Sequence, residues 1–519
     1  MRILYIASLS ALLSVYVSGA TAQVLTSRQI DSVAERALQT FNVPGIAVAV
    51  IKDGKVVHAK GYGVRSLQSP QKVDERTLFG IASNSKAFTA TALAILVDEG
   101  KLGWDDKVTD HIPEFRMSDA YVTSAFTIKD LLTHRSGLGL GIGDLMFFPD
   151  SSDFTKKDLI HNLRYFKPVS PFRTQFDYDN SLYIVAGEVV ARVSGMSWED
   201  FIEKRILIPL GMTRSAASFS RLKDASNVIA PHAPVNGKVQ VIRRDFNELC
   251  DAAGGIYSNI EDMSKWVMLQ LNKGKYGDGL SKQLFSQPQH MEMWMPQTII
   301  RARGGGAYNN HFVSYGLGWF LSDEKGNKVV THTGGLAGIV TQVTIIPDLN
   351  LGVLVFTNQE SSAAFKSITN SIKDGYYGVE GHDWIKETNS QLQASRAEEA
   401  AVTGKIWKEI EQQQRSAAVK YDTAVYAGTY KDVWLGEATI SLQNGKLRFN
   451  AKRAPRLAGD IMPYKANTFV VKWDERNMNA DAFIMFSLDE NGKAEAFKMK
   501  PISPLTDFSY DFQDLDFRR

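Results

Sequence analysis

The chain has 519 residues, of which 44% are apolar and 22% charged, as in an ordinary folded protein with a substantial core. At roughly 100–200 residues per domain, that length allows two to four domains or one large domain with an appendage. Its 59 basic and 57 acidic residues leave a net charge of +2, so there is no basic excess for binding nucleic acid, and we expect no such partner. The single cysteine, Cys250, excludes an internal disulfide and a multi-cysteine zinc site.

The first 22 residues predict an export signal. Arg2 is basic, residues 3–17 are apolar, and Ala20-Thr21-Ala22 has the small-residue pattern of a cleavage site. The apolar stretch is shorter than the roughly 20 residues that span a bilayer, although an uncleaved N-terminal anchor remains the alternative. We therefore expect a mature chain that begins near Gln23, is not stably inserted in a membrane, and is periplasmic or secreted.

Helical and strand patterns follow one another in a definite order over the next part of the chain. Apolar spacing predicts a helix over 24–42, and residues 86–99 predict another that ends at a glycine. Two apolar runs around an Asp-Gly turn predict a β-hairpin over 45–64, and a second hairpin is predicted over 340–357. Because strands flank a mostly helical region at 105–265, the pattern predicts an α+β fold, an antiparallel sheet with a helical insertion.

The character of the sequence changes near residue 385. Residues 385–420 are rich in Glu, Gln, Ala, Lys and Arg, which predicts an exposed linker helix. From residue 421 to 519 the chain has short alternating runs separated by turn signals such as Asn444-Gly445 and Asn491-Gly492. This pattern predicts a small all-β barrel or sandwich, in which Trp434 and Trp473 are expected to be core residues.

Motifs for nucleotide or metal chemistry are absent from the sequence. There is no GxxxxGK[ST], no HExxH and no GxSxG, and the nine histidines form no recognisable metal motif. We therefore expect no cofactor and no metal. Cys250 has no basic or histidine partner identifiable in sequence, which favours a buried and unreactive thiol.

After these exclusions, the sequence still supports catalysis by a serine with a lysine as its base. A serine becomes a nucleophile when a neighbouring base takes its proton, and Ser-x-x-Lys on a helix places both side chains on one face. Of the four occurrences, only one leads into a long apolar helix, whose N-terminus offers N–H groups to a developing negative charge. The occurrences are Ser69–Lys72, Ser83–Lys86, Ser220–Lys223 and Ser322–Lys325.

The segment around Ser83, FGIASNSKAFTATALAILVDEGKL at 79–102, resembles the nucleophile segment of the serine β-lactamase and penicillin-binding protein superfamily. The resemblance is nearest to class C β-lactamases and D-stereospecific peptidases, and it covers about residues 25–375. Five more landmarks follow in the family's order: 127–138, 176–181 with its Tyr-x-Asn, 209–213, 253–258, and His-Thr-Gly-Gly at 332–335. Residues 421–519 resemble, more loosely, the lipocalin-like barrel that follows this catalytic domain in some bacterial peptidases.

The resemblance implies a role for each matching residue. Ser83 would attack a carbonyl and form an acyl-enzyme, while Lys86 and Tyr178 would share the proton transfers. Which of these two is the general base is left open by the sequence. Asn180 would bind the amide carbonyl of the substrate.

At His332 the sequence departs from the family, which usually has lysine there. His-Thr-Gly is more similar to certain D-specific peptidases, and it leaves less fixed positive charge in the site. His332 would support Tyr178 or the substrate, and Gly334 and Gly335 would let a substrate lie close to the strand. The oxyanion hole would consist of the backbone N–H groups of Ser83 and Gly335.

These inferences predict a signal at 1–22, a serine hydrolase domain at 23–384, a linker helix at 385–420 and a barrel at 421–519. The expected activity is cleavage of an amide bond in a small peptide, including one with a D-residue. An esterase, a true β-lactamase and a penicillin-binding protein that does not hydrolyse its ligand remain alternatives, so the expected partner is a small peptide, ester or β-lactam. The barrel would cap the cleft, mediate homo-oligomerisation or serve only as a stabilising module.

Overall fold

The structure is a computed structural model that describes residues 23–245, 247–415 and 422–519. The predicted export signal at 1–22 lies outside the described residues, as does the junction at 416–421 between the linker helix and the barrel. No helix within the described ranges combines the length and the apolar composition needed to cross a membrane.

The N-terminal part contains a large antiparallel sheet. Its strands and those of smaller pairs are β1 (Gly45–Lys52), β2 (Lys55–Ser66), β3 (Ser69–Lys72), β4 (Phe79–Gly80), β5 (His232–Val235), β6 (Lys238–Val241), β7 (Tyr257–Ser258), β8 (Lys275–Tyr276), β9 (Lys282–Gln283), β10 (Thr298–Ile300), β11 (Val313–Tyr315), β12 (Phe320–Glu324), β13 (Asn327–Leu336), β14 (Ile339–Ile346) and β15 (Leu351–Thr357). Among the described residues, the large sheet has nine strands in the order β10-β11-β12-β13-β14-β15-β1-β2-β3. Both predicted hairpins, β1–β2 and β14–β15, are confirmed.

Helices cover both faces of this sheet. They are α1 (Ser27–Thr40), α2 (Ser85–Asp98), α3 (Val108–His111), α4 (Ala120–Ala125), α5 (Ile128–Leu131), α6 (Lys156–Asn162), α7 (Ser181–Ser194), α8 (Trp198–Ile202), α9 (Asp251–Gly254), α10 (Ile260–Leu271), α11 (Gln287–Met293), α12 (Ser362–Tyr377) and α13 (Trp384–Arg415). Alternate residues of a strand point to opposite faces, and Ala47 of β1 joins one apolar core while Val48 joins the other. The predicted α+β arrangement with a helical insertion is confirmed.

Helix α2 runs through the centre of the larger core. Every residue from Ser85 to Leu96 is buried, which explains why the helix is apolar on all sides. Phe88 on this helix stacks on Trp266 with ring centres 3.8 Å apart. Packing therefore holds Ser85, the first residue of the helix, on every side. The N-terminal end of α2 is a rigid support for the side chains located there.

The C-terminal part is a closed barrel. Its strands are β16 (Gly428–Asp432), β17 (Gly436–Gln443), β18 (Lys446–Ala451), β19 (Ala458–Lys465), β20 (Thr468–Trp473), β21 (Ala482–Leu488), β22 (Ala494–Pro501) and β23 (Phe517–Arg518), eight among the described residues. Aromatic side chains such as Tyr430, Phe449 and Phe497 are buried against one another inside it. The predicted barrel is confirmed, and Trp434 and Trp473 are buried as expected.

The linker helix and the barrel both pack against the N-terminal part. Helix α13 begins at Trp384 and contacts α12 and β19, in agreement with the helix predicted from residue 385. Arg456 of the barrel is buried and forms ion pairs with Asp150 and Asp245 of the N-terminal part. The barrel is thereby fixed on the side of the molecule where Ser83 lies.

Candidate active site

Ser83 lies in a short turn of 3-10 helix, Ala82–Asn84, immediately before α2. The long helix begins at Ser85, so Ser83 stands just outside its first turn and not inside it. Ala82 has a φ of 49°, in the left-handed region that residues with a side chain seldom adopt. Such local strain is maintained only where the surrounding structure holds it, and here it aims Ser83 into a cavity.

Lys86 is fully buried and its Nζ is surrounded by three oxygens. Nζ lies 3.1 Å from Ser83 Oγ, 2.6 Å from Asn180 Oδ1 and 3.0 Å from the carbonyl oxygen of Ala253. Burial lowers the pKa of Lys86 to about 7, against the opposing effect of the Asp144 carboxyl. Near neutral pH much of the lysine is therefore uncharged. Since two of its three neighbours are carbonyl oxygens that only accept, its lone pair is left for the Ser83 hydroxyl.

Tyr178 approaches both members of this pair. Lys86 Nζ lies over the Tyr178 ring, 4.8 Å from the ring centre. Burial raises the pKa of Tyr178 well above its ordinary value, although a hydrogen bond with Ser83 acts in the opposite direction. Its phenol is therefore protonated near neutral pH, where Lys86 is already partly uncharged. The structure brings Ser83, Lys86 and Tyr178 together, and Lys86 is the readier base of the two.

Asn180 links Lys86 to a buried carboxyl and, through it, to the barrel. Asn180 Nδ2 donates to Asp144 Oδ2 at 2.8 Å, which turns its Oδ1 towards Lys86. Ser509, from the barrel part, donates to the same Asp144 oxygen at 2.7 Å. Burial raises the pKa of Asp144 well above its usual value. The chain Ser509–Asp144–Asn180–Lys86 makes the barrel part of the site, which sequence patterns at residues 144 and 509 did not suggest.

His332 lies behind the reacting groups. Its Nε2 shares a hydrogen bond with the Tyr315 hydroxyl at 3.0 Å, and its Nδ1 lies 2.6 Å from the carbonyl oxygen of Thr333. Burial, followed by the charge of Lys86, lowers the pKa of His332 to about 3, so the ring is neutral. The ring centres of His332 and Tyr178 are 6.3 Å apart. The structure thus joins His332 to Tyr315, and its expected support of Tyr178 or the substrate stays a prediction.

His134 is a neighbour of Tyr178 to which the sequence assigned no role. Its ring centre lies 4.2 Å from that of Tyr178, and its Nδ1 accepts a hydrogen bond from the Asp179 backbone N–H at 3.0 Å. The residue is buried and burial keeps its pKa well below the ordinary value. It packs against the Tyr178 ring as a neutral group. Its place in the landmark at 127–138 was the only sequence signal that pointed to it.

Gly334 and Gly335 differ in what they face. A Cβ on Gly334 would lie 2.1 Å from the Ile81 carbonyl oxygen, whereas one on Gly335 would meet nothing within 4 Å. Gly334 thus lets β13 pack against the turn that carries Ser83, and it does not line the cavity; Gly335 does. We expected a substrate to lie close to both glycines, but only Gly335 is placed for such a contact.

Gly335 lies in the part of β13 that extends beyond its pairing with β12. Strand β13 pairs with β12 only as far as Thr331, and beyond it the register with β14 continues to Leu336. In the described residues, the other edge of this last stretch borders the Ser83 turn. This leaves the predicted oxyanion position, between the N–H groups of Ser83 and Gly335, at the cavity wall.

The cavity has a volume of about 360 Å³ and two walls. One wall includes Ser83, Asn180 and Gly335. The other includes the barrel loop, which we define as residues 505–510. Phe508 in this loop lies against Tyr178, with ring centres 5.7 Å apart. The barrel therefore caps the cleft, one of the roles considered for it.

Cys250 also lines this cavity and is only partly buried, so the expectation of a buried thiol is wrong. Its Sγ lies 3.1 Å from the Asn247 carbonyl oxygen, and desolvation raises its pKa to about 12. The thiol is thus protonated near neutral pH, and it has little nucleophilic character. Among the described residues, no three or more His, Cys, Asp or Glu side chains are placed so that they could hold a metal ion together.

Comparison with known sequences identifies both parts of the chain. The family described as Beta-lactamase matches residues 30–374, and a domain of unknown function (DUF3471) matches residues 417–519. Protein flp of Staphylococcus aureus strain N315 is 29% identical over 65% of this chain and 64% of its own length. Unguisins hydrolase ungD of Aspergillus violaceofuscus is 26% identical over 80% of this chain and 77% of its own. The match thus spans less than two thirds of the staphylococcal relative.

Comparison with solved structures gives the same fold. The octameric penicillin-binding protein homologue from Pyrococcus abyssi has a TM-score of 0.60 at 20% identity, over 95% of this chain and all of the other. A class C β-lactamase has a TM-score of 0.54 at 23% identity, over 68% of this chain and 96% of the other. With the sequence match covering most of the catalytic part around Ser83 and Lys86, the chain belongs to the β-lactamase family of serine hydrolases.

Proposed function

We propose that this protein is an exported hydrolase that cleaves an amide bond of a small peptide, D-residue-containing peptides included, through an acyl-enzyme on Ser83. The observation that carries the proposal is the 3.1 Å contact between Ser83 Oγ and Lys86 Nζ, with a lysine pKa of about 7. Export is inferred from residues 1–22. The fungal relatives are named hydrolases, which agrees with the proposed type of reaction.

In the first half of the reaction, neutral Lys86 accepts the Ser83 proton as Oγ attacks the substrate carbonyl carbon. The new C–O bond places a negative charge on the carbonyl oxygen, which the N–H groups of Ser83 and Gly335 stabilise. The C–N bond then breaks as the leaving amine takes a proton, delivered from Lys86 directly or through the Tyr178 hydroxyl. The product is an ester between the acyl group and Ser83.

In the second half, water replaces the amine. Lys86 takes a proton from the water, whose oxygen attacks the ester carbon, and the Ser83 oxygen leaves with a proton returned to it. The acid is released and Ser83 and Lys86 recover their starting states. Asn180, held by Asp144, orients the substrate carbonyl and keeps Lys86 in place.

Mass spectrometry of one mixed substrate pool tests this proposal. The pool contains a D-Ala-D-Ala peptide, a peptide with an N-terminal D-residue, linear L-peptides, a short-chain ester and a β-lactam. The wild type is compared with Ser83→Ala and with Ser322→Ala, a control in the same Ser-x-x-Lys pattern that lies outside the cavity. We expect loss of a peptide with the wild type and the control but not with Ser83→Ala.

The other outcomes contradict the proposal in different ways. Loss of the ester alone would make the protein an esterase, and loss of the β-lactam alone a β-lactamase. A β-lactam that stays attached to Ser83 without turnover would make it a binding protein. Peptide cleavage that persists in Ser83→Ala would show that Ser83 is not the nucleophile.

A further inference from the structure

A second serine, Ser27, begins a continuous series of side-chain hydrogen bonds between α1 and β2. Ser27 Oγ lies 2.9 Å from His58 Nδ1, and His58 Nε2 lies 2.9 Å from the Tyr62 hydroxyl. The Tyr62 hydroxyl donates to Asp31 Oδ1 at 2.7 Å, and Lys60 Nζ lies 3.1 Å from the other oxygen of that carboxyl group. We call the four linked side chains the α1–β2 chain: Ser27, His58, Tyr62 and Asp31. None of its four residues lines the cavity at Ser83.

The spacing of these residues in their two elements explains why they meet. Ser27 and Asp31 are four residues apart on α1, which places them on one face of the helix. His58 and Tyr62 are four residues apart on β2, and an even spacing places both on the same face of a strand. His58 and Tyr62 are buried, whereas Ser27 is exposed. The α1–β2 chain therefore has its serine at the surface and its histidine held from within.

The hydrogen bonds of the α1–β2 chain run in one direction. Although burial opposes it, hydrogen bonds with Tyr62 and Lys60 hold the pKa of Asp31 below its usual value, so this carboxylate only accepts. Tyr62 gives its single hydrogen to Asp31, and its oxygen therefore accepts from His58 Nε2–H. Burial lowers the pKa of His58, and a neutral imidazole has one N–H. The lone pair of His58 Nδ1 is thus directed at the hydroxyl hydrogen of Ser27, the arrangement that a general base requires.

Ser27 also lines a cavity of its own, with a volume of about 280 Å³. The wall is mostly apolar and, in the part of the chain that the structure describes, contains no charged side chain; it includes Ile30, Val50, Val57 and Ile372. Such a lining suits an uncharged, apolar group beside the serine hydroxyl. Because Ser27 is the first residue of α1, the N–H groups of the first helical turn are near the place where an attack by Oγ would develop negative charge.

We infer that Ser27 is a second nucleophile of this protein, activated by His58, and that it hydrolyses esters of short, apolar acids. Ser27 Oγ attacks the ester carbonyl carbon while its proton passes to His58 Nδ1. The ester C–O bond then breaks, and the alcohol leaves with the proton from His58. Water attacks the acyl group on Ser27 with His58 as base, which releases the acid and restores the serine. The transient positive charge on His58 is stabilised through Tyr62 by the carboxylate of Asp31.

The full-length Ser83→Ala protein tests Ser27 without the first nucleophile. Phenylmethanesulfonyl fluoride forms an O–S bond with an activated serine as fluoride leaves, and peptide mass spectrometry locates the adduct. Turnover is followed with p-nitrophenyl butanoate. We expect an adduct on Ser27 and ester hydrolysis, both of which are lost when Ser27→Ala is added. Ser390→Ala is the control and should change neither, because Ser390 is an exposed helix serine that donates to a backbone carbonyl oxygen.

Two further variants in the same background test the α1–β2 chain. His58→Gln keeps a hydrogen-bonding side chain but removes the base, so the rate of adduct formation should fall at least about 100-fold. In the parent protein this rate should rise with pH through a midpoint below the ordinary histidine value of about 6.5. The charge of Asp31 acts to raise the pKa of His58, so in Asp31→Asn the midpoint should move to lower pH. A merely structural role of Asp31 would not shift this midpoint, and melting temperatures show that the variants fold.

The absence of an adduct on Ser27, or ester hydrolysis that persists after Ser27→Ala is added to Ser83→Ala, would overturn the inference. An adduct that forms as fast in His58→Gln as in the parent protein would overturn it too, because His58 would then not be the base. These outcomes leave the proposed function untouched, since peptide cleavage that depends on Ser83 is measured separately. Conversely, peptide cleavage that persists in Ser83→Ala would contradict the role of Ser83 without affecting the adduct on Ser27.

Discussion

The two walls of the cavity are built in different ways. The catalytic wall contains Lys86, which is fully buried, and Ser83, Tyr178 and Asn180, which are partly buried and contact it. The barrel loop at 505–510 is more exposed, since Leu505, Asp507 and Phe508 are exposed and only Tyr510 is buried. Among the described residues, Asp507 has no ion-pair partner. The groups that shift the pKa of Lys86 thus come from the N-terminal part, whereas the barrel contributes a separate surface to the same cavity.

The two walls are nevertheless connected. Ser509 of the barrel loop reaches Lys86 through Asp144 and Asn180, by hydrogen bonds of 2.7, 2.8 and 2.6 Å. Substitutions on the two walls should therefore show how much each wall contributes to the rate of the reaction. The following predictions proceed from the largest expected effect to the smallest.

Replacement of the buried base should have the largest effect. Lys86→Met keeps the length of the side chain but removes the group that takes the Ser83 proton. We expect kcat/KM to fall by about 10³–10⁴-fold, at the upper end of what a general base contributes. The melting temperature should change little, because methionine fills the space of a buried amine that is already partly uncharged near neutral pH. A loss of less than about tenfold would show that Lys86 is not the base.

Loss of Arg456 should weaken the attachment of the barrel wall. Arg456→Met leaves Asp245 buried without its cation and leaves Asp150 with Arg243 as its remaining one. Removing one partner of a buried ion pair costs about 3–5 kcal/mol, so we expect the free energy of unfolding in urea to fall by that amount. Arg448→Met is the control, because its partner carboxylates are more exposed and its loss should cost about 1 kcal/mol or less. If both substitutions lower the free energy of unfolding equally, the ion pairs of Arg456 do not hold the barrel more strongly than those of Arg448.

The two adjacent glycines should respond differently to alanine. In Gly334→Ala the new methyl group would meet the Ile81 carbonyl oxygen, so β13 must move away from the Ser83 turn. We expect a loss of about 1–3 kcal/mol in stability, the usual cost of overpacking, together with reduced activity. Gly335→Ala has open space and should retain the stability of the wild type. Thermal unfolding of both variants checks this, and similar losses would show that the strand is not packed as described.

Removal of the Ser509 hydroxyl should have the smallest effect and test the connection between the walls. Ser509→Ala takes away a donor that favours the charged form of Asp144, so the pKa of Asp144 rises further. With less negative charge nearby, the pKa of Lys86 falls, and the rise of kcat/KM should move to lower pH. We expect a loss of about tenfold or less in kcat/KM. Ser487→Ala, at an exposed serine of the barrel, should change neither quantity. If the pH profile of kcat/KM does not shift in Ser509→Ala, the barrel does not influence the pKa of Lys86.

The catalytic wall was accessible from sequence because its residues lie in short motifs. Ser83 and Lys86 are three residues apart on one turn, and Tyr178 and Asn180 are two apart before α7. The hairpins and the barrel were likewise predictable from apolar alternation and turn residues.

The remaining features depend on contacts between residues distant in sequence. Asp144 and Ser509 are 365 positions apart, and no local pattern indicates that they meet. Residue 334 is a glycine because the backbone of Ile81 leaves no room for a side chain. His332 is neutral because it is buried, and the His-Thr-Gly motif alone does not reveal this burial.

The pH dependence of Ser83 acylation tests the central claim most directly. The rate of acylation would be measured by rapid quenching and intact-mass spectrometry of the wild type between pH 5 and 10. Because only uncharged Lys86 accepts the Ser83 proton, the rate should rise with pH through an apparent pKa of about 7 and then level off. A rate that keeps rising to a pKa near 10, or that does not depend on pH, would contradict the proposal that a buried, uncharged Lys86 activates Ser83.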